Sequence, residues 1–234
     1  MKDNNQELSD NLITDFNSPA AEAMQTFQVN LSLSDFRHPT QVIGVTSAIQ
    51  GEGKSTFSVN LANTYAFRGA KTVLVNFDIR KPVVHLLYNV KNDVGLTEYV
   101  AGDCTLDEII KTTPQGVDLV NPGTPTPYPT RILDSAKIKD LISELRKRYQ
   151  FIIVDLPPVL VVTDALLVSK YIDGYVVVAA QKLSKKKNVD ETIKILSSGH
   201  ANVYGIVMTR VTDLGENKHV MDAYQSAFSE KKEQ

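Results

Sequence analysis

The sequence predicts an α/β protein with a mostly parallel central sheet and helices on both faces, built as one domain. Three observations carry that prediction. The runs TVLVN, FIIVD, GYVVVAA and VYGIVMT are near-continuous in Val and Ile rather than alternating, so both faces of the sheet they form are covered. Stretches with helical spacing separate them, which implies right-handed crossovers and six or seven parallel strands. The first run, Val42-Ile43-Gly44-Val45, passes through a glycine-bearing turn into a helix opening at Lys54. With 234 residues, 42% hydrophobic and 22% charged, the chain has enough apolar side chain for one sizeable core.

Taken in order, residues 1–18 are rich in Asn and Asp and read as a flexible arm. Pro19 suits the first turn of a helix, and Ala23, Phe27, Val29 and Leu31 give that helix an apolar side. After Lys54 the apolar positions from Phe57 to Ala66 continue as a helix that Gly69 stops. KTVLVNFDIRKP is a β-forming run whose carboxyl end presents Asn76, Asp78 and Arg80. VGLTEYVAGDCTLDEII reads as helix broken at Gly102, and VDLVNPG as a short strand. Four prolines among residues 122–129 argue for a rigid extended loop. LDSAKIKDLISELRKRY is an amphipathic helix with Ile138, Leu141, Ile142 and Leu145 on one side. The strand after it ends at Asp155, and a helix starts at Thr163-Asp164. GYVVVAA and VYGIVMT, two buried strands, flank a helix from about Lys187 to Ser198. The domain thus spans 19–212, followed by a polar tail, 213–234.

Composition excludes several classes. A net charge of −2 gives no general attraction to nucleic acid, and the basic runs at Arg146-Lys147-Arg148 and Lys185-Lys186-Lys187 read as solvated faces. Cys104, the one cysteine, rules out an intramolecular disulfide and suits a reducing compartment. His38, His85, His200 and His219 lack zinc-ligand spacing. No apolar run approaches the roughly 20 residues of a membrane span, and the polar, acidic N-terminus is no secretory signal.

The chemistry is concentrated in Val42–Thr56. A strand, a turn holding Gly51 and Gly53, and a helix starting at Lys54-Ser55-Thr56 make a phosphate cradle, because backbone N–H groups and the positive end of the helix dipole converge on an anion. Lys54 reaches the β/γ-phosphates and the Ser55 hydroxyl holds Mg²⁺ in such loops. Ala48 stands where the usual pattern has its first glycine. A buried strand ending in Asp155 supplies a carboxylate for the Mg²⁺ water shell.

Together AIQGEGKST, VLVNFDIRKP, FIIVDLPPV and TDALLVS resemble the bacterial tyrosine kinases of capsule and exopolysaccharide assembly, over roughly residues 19–212. The resemblance implies a P-loop NTPase fold and an MgATP-dependent kinase that phosphorylates tyrosines in its own C-terminal tail. It implies catalytic roles for Lys54, Asp78, Asp155 and the position of Asn76, with metal held by Ser55, Asp78 and Asp155. Nucleotide contacts are implied for Gln50, Gly51, Glu52, Gly53, Lys54, Ser55, Thr56 and Arg210. It also implies a cytoplasmic location at the inner face of the membrane, where a membrane-anchored chain-length regulator supplies an activating segment.

The sequence departs from that family at four places. Asn76 replaces an aspartate, and an amide cannot serve as a general base near neutral pH. Glu22, Gln25 and Gln28 replace a Glu-x-x-Arg-x-x-Arg pattern that joins subunits, so homo-oligomerisation through this helix loses its arginines. Thr209 stands where related ATPases have an asparagine near the base. Tyr224 is the one candidate phosphosite in the tail. The alternative reading is therefore a catalytically weak nucleotide switch that docks on the regulator. A partition or cell-division ATPase is opposed by Ile49-Gln50, where those proteins carry an extra lysine, and by Arg80-Lys81-Pro82. A dinucleotide oxidoreductase is opposed by the lack of G-x-G-x-x-G after the first strand.

Overall fold

The structure, a computed structural model, describes residues 12–16, 18–34 and 40–212. The first part of the expected arm, the polar tail, His38, His219 and Tyr224 lie outside the described residues.

Residues 12–16, expected within the arm, lie against the domain. The Ile13 N–H donates to Asn60 Oδ1 at 2.8 Å, and the Phe16 ring stacks on Phe67 with centroids 3.9 Å apart. Leu12, Ile13 and Phe16 give this short segment enough apolar surface to adhere. Helix α1, Pro19–Ser34, starts as Pro19 suggests, with the Ser18 hydroxyl accepting from the Ala21 N–H. Its inward side differs from the expected stripe. Ala21, Met24, Gln28 and Leu31 face the protein, while Ala23 is exposed and Val29 is 47% exposed. Steps of three and four starting from Ala21 select the buried set; the expected stripe mixed two sides of the helix.

Strand β1 (Val42–Ser47) leads to helix α2 (Lys54–Phe67), then β2 (Thr72–Asn76) and a short helix α3 (Val84–Leu87). Helix α4 (Leu96–Ala101) ends at Gly102, whose left-handed backbone caps it. Helix α5 (Leu106–Ile109) follows. The expected helix stops there. Ile110–Thr112 forms strand β3, and a turn through Gly116 (φ 79°) returns the chain antiparallel as β4, Asp118–Val120. An α6 turn (Pro129–Leu133) follows the extended proline segment, and α7 is Ala136–Arg148. Strand β5 (Phe151–Asp155), the short helix α8 (Asp164–Leu167), β6 (Gly174–Ala180), α9 (Lys186–Ser198) and β7 (Val203–Thr209) complete the domain.

The seven strands run β3-β4-β2-β5-β1-β6-β7, parallel except for β3. Successive strand residues point to opposite faces, which divides the core in two. One side packs Val73, Val154 and Val177 against residues of α4, α7 and α9; the other packs Ile43, Leu74 and Val178 against α1 and α2. Helix α2 is buried on nearly all sides between sheet and α1, so its apolar residues form no stripe.

Two expectations are corrected at the periphery. Strand β7 is not covered on both faces, since as the edge strand it leaves Ile206 52% and Met208 59% exposed. Arg146 is more than a solvated charge: its guanidinium pairs with Asp173 at 2.5 Å, and Asp173 in turn accepts from the N–H groups of Gln41 and Val42. That contact ties α7 to the start of β1. Among the described residues no helix is long and apolar enough to cross a membrane.

Candidate functional site

The parallel register brings three strand ends together. Cα partners Val45 and Asp155, and Asn76 and Asp155, align β1, β5 and β2. Ligands of open parallel sheets bind beyond the carboxyl ends of their strands. Here the β1–α2 loop curls over that edge.

Gly51 (φ 88°) and Gly53 (φ 90°) hold the left-handed backbone that lets the loop wrap. A Cβ on Gly53 would also stand 3.2 Å from Thr209 Oγ1. The loop is pinned from behind by Glu52, which is 1% exposed. Its carboxylate accepts from the Ile49 N–H at 2.8 Å and from the Ser184 hydroxyl, while its carbonyl accepts from Thr209 Oγ1 at 2.7 Å. The Glu52 side chain therefore turns away from the cavity, leaving only its backbone for an anion. Helix α2 begins with no side-chain cap, so its first N–H groups stay available to a phosphate.

Lys54 closes the centre of the site. Its Nζ donates to Asp78 Oδ2 at 2.7 Å and to Ser55 Oγ at 3.1 Å, and lies 3.7 Å from Asp155 Oδ2. Asp155, fully buried, accepts from Ser55 Oγ at 2.7 Å and from Ser58 Oγ at 3.0 Å. Burial pushes the Asp155 carboxyl up, against the pull of Lys54 and the two hydroxyls. Burial alone would lower the Lys54 ammonium, but Asp155 and Asp78 outweigh it and raise it. Two carboxylates and a hydroxyl thus converge around one ammonium. Ser55, Asp78 and Asp155 are hard oxygen donors of the kind Mg²⁺ takes, so they fit that ion.

A second ion pair frames the mouth. Arg80 clasps the buried Asp164 through Nε at 2.9 Å and a terminal nitrogen at 3.1 Å, a bidentate contact that fixes the guanidinium plane. Lys81 Nζ reaches Gln50 Oε1 at 3.2 Å across the opening. The cavity holds about 330 Å³, with Lys54, Ser55, Asp78 and Arg80 on its polar side. Pro157, Pro158, Val161 and Val162 form its apolar wall.

Of the residues expected here, Gln50, Gly51, Gly53, Lys54, Ser55, Thr56, Asp78 and Arg210 line the cavity. Asp155 lies just beneath. Asn76 does not line it; the side chain is fully buried, its Oδ1 accepts from the Asp78 N–H at 3.0 Å, and its Nδ2 has no partner. Asn76 thus holds the backbone that presents Asp78. Gln28 is buried at 4% exposure, so it does not point outward toward a second subunit. Ser58 was missed in the sequence, although a helix places it one turn beyond Lys54 on the same side. The Arg80–Asp164 and Glu52–Ser184 contacts join residues 84 and 132 positions apart, and no local spacing announces them.

The ParA family model, described as NUBPL iron-transfer P-loop NTPase, matches residues 38–232. The tyrosine-protein kinase CpsD of Streptococcus pneumoniae serotype 4 is 31% identical over 207 residues, covering 88% of this chain and 90% of CpsD. The crystal structure of the chimerical protein CapA2B2 superposes with a TM-score of 0.80 at 32% identity, covering 84% of this chain and 87% of that one. The kinase domain of the Escherichia coli tyrosine kinase ETK gives 0.77 at 27% identity, covering 83% and 78%. A longer relative from the cps region of Klebsiella pneumoniae is matched over 28% of its length.

Proposed function

The chain belongs to the ParA family of P-loop NTPases and, within it, to the bacterial tyrosine kinases of capsule synthesis, and from that premise we propose that it transfers the γ-phosphoryl group of ATP to tyrosine, including Tyr224. The observation that carries the reading is the convergence of Lys54, Ser55, Asp78 and Asp155 beside an uncapped helix N-terminus. The family membership supplies nucleotide binding; magnesium, the acceptor tyrosine and the partner are this reading's own.

In the proposed mechanism the glycine loop and the first turn of α2 bind the phosphates through backbone N–H groups. Lys54 leaves Asp78 and turns to a terminal phosphate oxygen, stabilising the charge that spreads there during transfer. Ser55, Asp78 and Asp155 would hold Mg²⁺, whose charge would offset that of the phosphates. The tyrosine oxygen attacks phosphorus in line, the bond to the β-phosphate oxygen breaks, and ADP departs. The tyrosine proton passes to a carboxylate. Asp78 suits this better than Asp155, because Asp78 lines the cavity while Asp155 lies fully buried beneath it, accepting from Ser55 and Ser58. Arg80, held flat by Asp164, faces the same cavity and orients an anionic group. The partner in this proposal is a membrane-anchored chain-length regulator whose cytoplasmic segment activates the enzyme at the inner membrane face.

A second reading, a nucleotide switch with weak transfer, is favoured by Asn76, which places an amide where the family has an acid, and by the Lys54 clamp on Asp78. Incubation of the purified chain with MgATP and the regulator's cytoplasmic segment, followed by phosphotyrosine mapping, separates the two. Phosphate at Tyr224 supports the kinase; nucleotide binding without phosphotyrosine supports the switch.

A further inference from the structure

The cavity above the phosphate loop has two unlike walls. Lys54, Ser55 and Asp78 stand where phosphates and their ion would go, whereas Pro157, Pro158, Val161 and Val162 offer a phosphate nothing. These four belong to the connection between β5 and α8, where the Val161 and Val162 N–H groups both donate to the Pro158 carbonyl and turn the chain. The turn leaves Val161 63% exposed at the opening. A flat aromatic ring with a polar tip suits such a wall, because proline and valine would cover its body and leave the tip to the polar side.

The rim beyond that wall is cationic. Arg80 bridges two connections, meeting Asp164 at the start of α8 and donating from a terminal nitrogen to Thr130 Oγ1 at 3.2 Å at the start of α6. Beside Thr130 the Arg131 guanidinium lies over the ring of Tyr128, 5.6 Å from its centroid, and Tyr128 is 60% exposed. Lys81 and Arg210 stand at the mouth itself. Among the described residues Lys81, Arg131 and Arg210 form no ion pair, because the acids of the site are engaged elsewhere. Asp78 holds Lys54, Asp164 holds Arg80, Asp155 is buried beneath the floor and Glu52 is turned behind the loop. A bound nucleotide would meet Lys81 and Arg210. It does not account for Arg131, which lies off the cavity lining.

We propose that this mouth takes an extended peptide whose tyrosine ring lies on the Pro157–Val162 wall and whose flanking residues are acidic, met by Lys81 and Arg131. The recognition rests on the two-sided cavity and the unpaired cations; that the bound tyrosine is a phosphoryl acceptor rests on the tyrosine-kinase reading above. Tyr128 and Val161, exposed just ahead of the two groups that Arg80 touches, add apolar contact for the flanking residues. Because Arg131 stands outside the nucleotide cavity, an acid near the tyrosine meets it without lying on the phosphates. Opposite charge draws in an acidic segment and like charge turns away a basic one, so the rim selects which tyrosine enters more than how tightly it is held. Exposed charges are screened, so the selection fades as salt rises.

Fluorescence polarisation with the full chain and MgADP tests the docking without any transfer step. The probes are three fluorescein-labelled peptides: a central tyrosine flanked by glutamates, the same with lysine flanks, and the glutamate peptide with alanine in place of tyrosine. At low salt the glutamate–tyrosine peptide is expected to bind at least about tenfold tighter than the lysine one, the sum of two or three exposed charge contacts. Arg131→Glu should weaken the glutamate–tyrosine peptide at least about threefold and strengthen the lysine one, with MgADP affinity unchanged. Equal affinity for the two flanks, or an Arg131→Glu chain that binds as the parent does, overturns the selection. An alanine peptide held as tightly as the tyrosine one marks a bare anion patch with no seat for the ring, and overturns the proposal too. Phosphotyrosine on none of the peptides after incubation with MgATP and the regulator's cytoplasmic segment refutes the kinase reading. That result does not move the affinities, which decide the docking surface by themselves.

Discussion

Replacing Lys54 with methionine keeps most of the apolar stem and removes the ammonium, so it isolates what that charge does at the centre of the site. In the folded chain Nζ sits 2.7 Å from Asp78 and 3.7 Å from Asp155, with Asp155 fully buried. Removing one partner of a buried pair costs about 3–5 kcal/mol when the other charge stays behind. Methionine also removes the burial cost of an ammonium, which places the expected loss near the lower end, about 3 kcal/mol. The sign of the pH dependence follows from Asp155. Burial already holds its folded pKa above the ordinary value, so its protonation favours the folded state, and without Lys54 that pKa rises further. The variant's deficit should therefore be full at pH 8 and shrink steadily toward pH 5, as Asp155 takes up its proton. In the parent chain the raised Lys54 pKa means the ammonium is fully charged below about 10.5 and loses its proton only as pH climbs through the folded value. Urea midpoints from pH 5 to 8 measure the difference, and calorimetry with MgATP measures the loss of nucleotide affinity. A deficit that is independent of pH, or unaltered MgATP binding, would show that Lys54 does not neutralise Asp155 and does not meet phosphate.

Further outcomes concern neighbouring groups. Asn76→Asp buries a second carboxylate behind Asp78, away from the cavity, and should lower the stability of the nucleotide-free chain by about 1–3 kcal/mol; equal urea midpoints in both forms contradict it. Asp164→Asn should cost about 1.5–3 kcal/mol by loosening the Arg80 clasp and should weaken nucleotide binding, measurable by denaturation and calorimetry together. Gly95→Ala would put a Cβ 2.0 Å from the Asn121 carbonyl oxygen, a backbone atom that cannot step aside, and should destabilise by about 1–3 kcal/mol with the site chemistry intact; a wild-type melting temperature refutes that packing.

Much of this protein is local and hence readable in its sequence. The Val/Ile runs dictate buried parallel strands, Gly51 and Gly53 dictate the left-handed loop, and Lys54-Ser55 opens a helix because the glycine before it frees the backbone. Asp155 ends a strand, so its place at the carboxyl end of β5 follows from the length of that run. Where spacing misled, a three-dimensional competitor had won. The LDEII segment leaves its helix because β4 offers Ile110 and Lys111 a ladder, and the stripe of α1 shifts because Met24 and Leu31, not Val29, meet the core around α2.

Tertiary structure alone decided the rest. Glu52 reads as a loop acid but is bound by Ser184 from another strand's connection, and Asn76 reads as a catalytic position but lies behind Asp78, holding its N–H. The pairing of Arg80 with Asp164 and the exposure of Ile206 and Met208 depend on which strands become neighbours and which is left at the edge. Sequence determines what each segment prefers, because those preferences arise within a few residues. Charge state, access and covering are set by atoms that arrive from far along the chain, and only the folded arrangement brings them into range.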